Sequence, residues 1–430
     1  MALAIVGIGI MFFLGHLLSW VFEKTKIPDL LILVVIGYVM GPVLGILDGQ
    51  DFGAVGAVIS TLALIVILYE GGLHLSAKDL LTSSLPAAGL SFLSFGFSIL
   101  IGIICGYGFA TQDISTGILL GVGIGSTSSA IVIPMVKFLS IHPNMKTVLS
   151  LESAFTDVLT IVIFLVLVQS FAAGTFEAKN LIIGLGPNTL IAAAVGISSA
   201  FTWSLIKKRY SSALPNAFAG EAWALLTYGG LELAGLNGAI GVLTLGFSLA
   251  NLNLLPQWTT KFINQSPVSF KEMSLLSEIT YLLRTFFFIY LGILIQFNSM
   301  GTIFLALAIC LLIFASRYLI IRMLFKTESN SRLDAMVATA MGPRGLACAV
   351  LATLPAQHGL AGGDFLRDTM FAIIPLSILF TALFVALSES PTMRAKISKF
   401  FTMYPEEKVL ADNTKESLNT SSNSNPEPNT

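Results

Sequence analysis

Residues 146–172 read KTVLSLESAFTDVLTIVIFLVLVQSFA, an apolar run with two acidic residues, Glu152 and Asp157, in its first half. A helix of this length, rising 1.5 Å per residue, spans about 40 Å, which exceeds a hydrocarbon core of roughly 30 Å. If the helix enters the membrane near Met145, Asp157 lies about 16 Å deep, close to the midplane. A carboxylate is costly at that depth, so we predict a membrane-spanning helix whose buried acid has a function.

The whole chain has the composition of a membrane protein. Of its 430 residues, 55% are hydrophobic and 11% are charged, which excludes a soluble globular class. The formal charge of −1 argues against a nucleic-acid partner. The three cysteines lie in apolar stretches and the four histidines are scattered, so we expect no disulfide framework, metal cluster or cofactor. No nucleophile and base lie at one depth, so we do not expect an enzyme.

The apolar residues form about thirteen spans, each long enough to cross the bilayer as a helix. Lysine and arginine collect in alternate connecting loops and after the last span, which predicts an N-terminus outside and a cytoplasmic C-terminus. The predicted spans are 2–22, 27–47, 52–74, 86–109, 113–138, 146–172, 180–206, 217–234, 236–253, 275–297, 300–325, 332–357 and 367–388.

The second and ninth spans each carry glycine before an aromatic residue near their ends, Gly37-Tyr38 and Gly246-Phe247. Similar matches join the third span to the tenth and the fifth to the twelfth. The members of each pair are seven spans apart, and this odd offset predicts two repeats of opposite orientation, as in many secondary transporters. The predicted units are a first six-helix repeat (1–172), a linker helix (173–212), a second inverted repeat (213–390) and a polar, disordered cytoplasmic tail (391–430).

Oxygen-bearing side chains line the sixth span. Ser153 and Asp157 are four residues apart and share one helix face, and Glu152 and Thr156 share the adjacent face. Several oxygens at one depth suit a small hard cation. The fifth span, residues 121–134 (GVGIGSTSSAIVIP), combines glycines, hydroxyls and a proline, which predicts a helix that unwinds midway; close packing of small residues is the alternative.

Other charges in the spans need partners. Arg344, in the twelfth-span stretch MGPRG, lies about 18 Å deep, and Glu152 or Asp157 is the nearest anion in depth. Glu70, near the cytoplasmic end of the third span, is either an interfacial carboxylate or part of the site. Arg284 of the tenth span suits helix packing or charge compensation. Arg317 is expected to extend its side chain to the cytoplasm.

In this order, YEGG (69–72), GSTSSA (125–130), LESAFTD (151–157) and GPRG (342–345) resemble the cation/proton antiporters that include the sodium/proton exchangers, over about residues 1–390. The resemblance implies an all-α polytopic membrane protein of about thirteen transmembrane helices, with inverted repeats of six helices and two discontinuous crossing helices. It implies a homodimer in the cell membrane, whose core moves against a dimerising panel of helices.

The resemblance also assigns residue roles. Asp157 would carry either the proton or the cation, with Ser153, Thr127, Glu70 and water completing the cation site. Glu152 and Arg344 would form a structural ion pair. Thr156, Ser128 and Arg284 would neighbour the site.

Thr156 departs from the family pattern, in which the electroneutral branch usually has Asn before the essential Asp and the electrogenic branch has a second Asp. Threonine does not titrate, so we predict exchange of one sodium or lithium ion for one proton. Thr-Ser-Ser (127–129) also replaces the Thr-Asp-Pro of many relatives, which removes a further carboxylate. Potassium as the cation, electrogenic exchange through Glu70, a cation channel and an ion-sensing membrane receptor stay open as alternatives.

Overall fold

The computed structural model describes residues 28–47, 53–78, 85–108, 113–172, 186–210, 218–256, 268–295, 300–325 and 330–406, with a few positions between 9 and 18. Within these residues the regular structure is helical, as predicted. Six helices are long and apolar enough to cross a membrane by length and composition, and shorter apolar helices accompany them. The first predicted span, 2–22, lies mostly outside the described residues, so the number thirteen stays a prediction.

The first half of the described chain contains the helices α1 to α7. They are α1 (Asp29–Tyr38, extended by a π-helical turn, Val39–Val43), α2 (Gly53–Leu73), α3 (Leu85–Gly106), α4 (Ile114–Gly123), α5 (Ser129–Phe138), α6 (Pro143–Ala172) and α7 (Gly186–Arg209).

The second half contains α8 to α16. They are α8 (Ala219–Leu233), α9 (Gly238–Ala250), α10 (Phe270–Leu294), α11 (Met300–Leu324), α12 (Arg332–Ala340), α13 (Leu346–Leu351), α14 (Leu354–Gln357), α15 (Gly363–Glu389) and α16 (Pro391–Ile397).

Polar residues at the loop ends fix where several helices begin. The Asp113 side chain accepts the Ser115 amide at the start of α4. Ser331 and Asp334 form a reciprocal capping box at the start of α12. Such caps satisfy backbone donors that have no partner inside the helix, so these helices begin at defined residues at the ends of apolar runs.

The helices pack into two bundles. We call α3–α6, α11–α13 and α15 the site bundle, because α6 carries the predicted carboxylate and packs against α3, α4, α5 and α13. We call α1, α2 and α7–α10 the panel bundle, in which α2 packs against α8, α9 and α10, and α10 also packs against α1. Each bundle takes helices from both halves of the chain.

Glycines bring helices of the panel bundle into backbone contact. A Cβ atom at Gly37 of α1 would lie 2.0 Å from the Ile289 carbonyl oxygen of α10. A Cβ atom at Gly246 of α9 would lie 2.4 Å from the Tyr69 carbonyl oxygen of α2. Both positions therefore require glycine at close helix crossings. The division of the chain into repeats at 172, 212 and 390 stays a prediction.

The segment after α15 is ordered farther than the sequence predicted. Residues 391–406 form α16 and a 3₁₀ turn, and Tyr404 is buried. The Tyr404 hydroxyl donates to the Ile321 carbonyl at the end of α11, and Arg332 of α12 donates to the Tyr404 carbonyl. The expectation of a disordered tail is thus wrong for this segment, because its side chains Phe401 and Tyr404 are buried against the helices. Residues 407–430 lie outside the described residues.

Candidate functional site

Two interrupted helices meet inside the site bundle. The chain is non-helical at 124–128, between α4 and α5, and again at 341–345, between α12 and α13. The Ser128 amide donates to the Pro343 carbonyl across the two breaks at 2.8 Å. A Cβ atom at Gly345 would lie 2.1 Å from the Ser128 hydroxyl oxygen, so glycine is needed for this approach. The predicted interruption of both helices is confirmed.

Asp157 of α6 lies against the first break and is half-buried. Its Oδ2 accepts a hydrogen bond from the Ser129 hydroxyl at 2.6 Å and another from the Ser129 amide at 3.2 Å. The Ser126 hydroxyl is buried beside the same carboxylate. Both Ser129 donors therefore end on the same oxygen of the carboxylate, Oδ2.

Hydroxyls tie the first break to α6. The Thr127 amide donates to the Thr156 hydroxyl oxygen at 3.0 Å, and the Thr156 hydroxyl donates to the Glu152 carbonyl at 3.0 Å. The Thr127 hydroxyl donates to Glu152 Oε1 at 3.4 Å. Ser153 is fully buried and donates to the Ser150 carbonyl. Each hydroxyl that donates keeps lone pairs that can coordinate a cation. Both hydroxyl residues, Thr127 and Ser153, are buried.

Glu152 pairs with Arg317, not with Arg344 as the sequence predicted. Arg317 of α11 contacts both carboxylate oxygens, at 2.5 and 2.6 Å, and its Nε donates to the Ala338 carbonyl at 2.7 Å. The two side chains are 3% and 0% exposed. Arg317 therefore does not extend to the cytoplasm. A fork-to-fork pair satisfies a buried carboxylate fully, which explains why α11 turns this side chain inward.

Arg344 instead connects the two breaks. Its guanidinium donates to the Ser126 carbonyl at 2.6 Å, to the Thr127 hydroxyl at 3.2 Å and to the Ser98 hydroxyl of α3 at 3.4 Å. Its backbone amide donates to the Ser377 hydroxyl of α15. All of these acceptors are neutral. Arg344 thus adds a fixed positive charge beside the site and holds the first break in its extended conformation.

Glu70 and Arg284 belong to the panel bundle. Glu70 of α2 accepts a hydrogen bond from the Ser277 hydroxyl of α10 at 2.9 Å. Arg284 of α10 lies 3.6 Å from the Asp29 carboxylate and over the Tyr281 ring. Among the contacts that the described residues make, neither side chain reaches the carboxylate of α6. The structure therefore does not bring these two predicted residues into the site; the predicted role of Arg284 in packing and charge compensation fits its position.

A family model described as "Sodium/hydrogen exchanger, transmembrane" matches residues 9–395. The chain belongs to the sodium/hydrogen exchanger family. It is accordingly a multi-pass membrane protein with the fold of this family.

Relatives of this exchanger-family chain differ in their named cation. The chain is 25% identical over 379 residues to the K(+)/H(+) antiporter NhaP2 of Shewanella sp. (strain MR-4), covering 84% of this chain and 62% of the relative. It therefore spans less than two thirds of that relative's length. It is 25% identical over 388 residues to Na(+)/H(+) antiporter 1 of Methanocaldococcus jannaschii, covering 84% of this chain and 85% of the relative.

The fold matches solved structures of the sodium proton antiporter MjNhaP1 from Methanocaldococcus jannaschii. The structure at pH 8 has a TM-score of 0.70 at 21% sequence identity, covering 90% of this chain and 99% of that chain. A second structure, from electron microscopy, has a TM-score of 0.63 at 22% identity, covering 90% and 95% of the two chains. At these identities the likeness concerns the fold.

Two residues of the exchanger site were missed in the sequence. Ser129 donates twice to Asp157, yet it was only one hydroxyl in a run of four. Its position as the first residue after the helix break was the available signal, since the amides at a helix start are free to bind anions. Arg317 lies nearer an end of its predicted span (300–325) than Arg344 does in its own (332–357), and depth alone favoured Arg344 as the partner of Glu152.

Proposed function

We propose that this chain exchanges one monovalent cation for one proton across the membrane, by competition at Asp157. One observation carries the proposal. Of Glu152 and Asp157, the described carboxylates at the breaks, Glu152 is neutralised by two hydrogen bonds from Arg317, whereas Asp157 accepts hydrogen bonds from neutral Ser129. Asp157 is therefore the carboxylate whose charge is open to a proton or a metal ion.

Competition follows from the position of Asp157. A carboxylate withdrawn from water in the membrane is costly as a bare anion, so either a proton or a cation neutralises it. One carboxylate does not bind both well. If the site opens alternately to each side, this competition couples the two fluxes without a further gate.

The proposed ligands of the cation are oxygens around Asp157. Ser126 supports this role, because its hydroxyl is buried beside the Asp157 carboxylate. Ser153, one turn before Asp157 on α6, and Thr127, in the first break, each keep hydroxyl lone pairs. With water, these groups supply the several oxygens that a hard cation requires. We propose sodium or lithium, and potassium is the second candidate because relatives are named for each ion.

Thr156 and Glu70 bear on the stoichiometry. Thr156 has no titratable group, and its hydroxyl accepts the Thr127 amide and donates to the Glu152 carbonyl. Glu70 bonds to Ser277 in the panel bundle. Neither supplies a second exchangeable proton beside Asp157 in this arrangement, which supports electroneutral exchange over an electrogenic mode.

We further propose an N-terminus outside, a cytoplasmic C-terminus and a homodimer in the cell membrane. The distribution of lysine and arginine supports the orientation. The division into two bundles supports a site bundle that moves against a panel bundle, and the panel bundle would form the dimer contact. Cross-linking of single cysteines introduced on α8 in membranes tests this assembly.

Proton flux in liposomes tests the function. The purified protein is reconstituted with a pH-sensitive dye inside, and sodium, lithium or potassium is added with and without a clamped membrane potential. We expect sodium or lithium to drive proton movement that is independent of the potential and is lost in Asp157→Asn. Asp364→Asn is the matched control, because that carboxylate is 79% exposed.

Each alternative has its own outcome. Exchange that persists in a folded Asp157→Asn variant contradicts the assignment of the carrier. Dependence on the potential indicates a second titrating carboxylate. Cation flux that needs no opposing proton gradient indicates a channel, and absence of flux with specific cation binding indicates a receptor. Proton movement driven by potassium alone assigns the site to that ion.

A further inference from the structure

Ser129 is the residue that contacts the proposed carrier most directly. It is the first residue of α5, and both its hydroxyl and its amide donate to Oδ2 of Asp157, at 2.6 and 3.2 Å. Two donors from one residue thus converge on one carboxylate oxygen. In contrast, the hydroxyls of Thr127 and Ser153 donate to Glu152 and to a helix carbonyl.

We infer that Ser129 is a positioning residue that sets the balance between proton and cation at Asp157, an inference that rests on the proposed function. Donors that converge on a carboxylate stabilise its charged form relative to its protonated form. They also aim the carboxylate, so that Oδ1 is presented to the incoming ion. When a proton or a cation binds, the Ser129 hydroxyl can rotate while the backbone amide stays fixed.

The start of α5 adds to this effect. The helix has ten residues, and the aligned peptide dipoles favour negative charge near its first turn. Arg344 places its positive charge at the same break, where it donates to the Ser126 carbonyl. These contributions stay in place when the Ser129 hydroxyl is removed, so the hydroxyl can be tested separately.

Other charged groups around α6 define the background. Glu152 and Arg317 neutralise each other next to the breaks. The remaining ionisable side chains on the described helices that pack against α6 are Cys105 on α3, Lys137 on α5, Arg332 and Asp334 on α12, and Cys348 on α13. Among the described residues, none of these side chains makes a hydrogen bond or ion pair with Asp157, so the Ser129 donors are the contacts to vary.

Two substitutions remove the donors one at a time. Ser129→Ala removes the hydroxyl and keeps the amide. Ser129→Pro removes both, and proline is well tolerated at the first position of a helix. The preceding residue, Ser128, has φ −62° and ψ 109°, the extended conformation that a following proline requires. Ser129→Thr keeps both donors and serves as the rescue variant.

The readout is the pH profile of cation-driven proton flux in liposomes, with the apparent KM for the cation at each pH. We expect the profile to shift to higher pH by about half a unit to one unit for each donor lost, because several donors together lower proton affinity by about two units. Well above the midpoint the maximal rate should return close to that of the wild type. At pH values below it, the apparent KM should rise by about three- to tenfold.

Thr160→Val is the matched control. Thr160 also lies on α6, its hydroxyl is buried without a partner among the described residues, and valine has the same shape. Its pH profile should coincide with that of the wild type, as should that of Ser129→Thr. If Ser129→Pro does not fold, Ser129→Ala decides by its own shift, after its unfolding temperature has been compared with that of the wild type.

The outcomes separate the two hypotheses. Suppose that wild-type exchange depends on Asp157 but the pH profiles of Ser129→Ala and Ser129→Pro coincide with that of the wild type. This result overturns the inference about Ser129 and leaves the proposed function standing. A shift to lower pH, or an equal shift in Thr160→Val, also overturns it. Absence of Asp157-dependent exchange in the wild type overturns the proposed function and this inference with it. The inference is supported if the pH profile moves to higher pH in Ser129→Ala, moves further in Ser129→Pro, and does not move in Ser129→Thr.

Discussion

Removal of Arg317 should destabilise the fold strongly, because it strands Glu152. Arg317→Met removes two charge-assisted hydrogen bonds, at 2.5 and 2.6 Å, and a third to the Ala338 carbonyl. The Glu152 side chain is 0% exposed, so water does not replace the lost partners. Breaking one half of a buried pair costs about 3–5 kcal/mol. Methionine keeps much of the side-chain volume, so the loss is mainly electrostatic.

A double-mutant cycle isolates the pair. Glu152→Gln removes the stranded charge, so the double variant with Arg317→Met should recover much of the loss, with a coupling energy of about 2–3 kcal/mol. The matched cycle pairs Glu152→Gln with Arg344→Met. Among the described contacts, the Thr127 hydroxyl links Arg344 to Glu152, so their coupling should be about 1 kcal/mol or less.

The assay is reversible unfolding in mixed detergent micelles, followed by intrinsic fluorescence of the four tryptophans. Size-exclusion profiles check that each variant is folded at the start. A coupling of Glu152 to Arg344 that equals or exceeds its coupling to Arg317 would refute the ion pair described above. A stability loss of Arg317→Met below about 1 kcal/mol would refute the claim that Arg317 is the main partner of the buried Glu152 carboxylate.

Two further predictions concern packing and the loop before α6. Gly72→Ala should lower stability by about 1–3 kcal/mol in thermal unfolding, because its Cβ would lie 2.5 Å from the Leu243 carbonyl oxygen. Gly71→Ala is the control and should be neutral or slightly stabilising, since no atom lies close to its Cβ position. Equal losses in the two variants would contradict a close helix crossing at Gly72. Asp334→Ala should speed hydrogen exchange at 139–146, because its carboxylate accepts the His142 amide and contacts the His142 ring; unchanged exchange would exclude this link.

Long apolar segments were predictable because their signal is uniform along the helix. The predicted spans 86–109 and 146–172 correspond to Leu85–Gly106 and Pro143–Ala172. The helix breaks were also predictable, since glycine and proline at membrane depth weaken a helix wherever it lies. These features depend on local sequence and do not require knowledge of the neighbouring helices.

The partner of Glu152 was not predictable in this way. Depth along a helix follows from counting residues, but the direction in which a side chain points around the helix depends on packing. Arg317 lies seven residues before the end of α11, where a side chain could reach the cytoplasm. The contact of α11 with α12 and α15 instead turns it inward. The position of Glu70 was not predictable for the same reason, since its helix, α2, belongs to the panel bundle.

Thr156 shows how a hydrogen-bond role limits the chemistry of the site. Its hydroxyl accepts the Thr127 amide and donates to the Glu152 carbonyl, so it holds the break against α6 without carrying charge. This role needs an acceptor at that position, and a neutral one avoids a second anion one residue from Asp157. The residue that secures the break thus supplies no exchangeable proton. In the proposed mechanism, the number of protons per cycle follows from this division of roles between neighbouring residues.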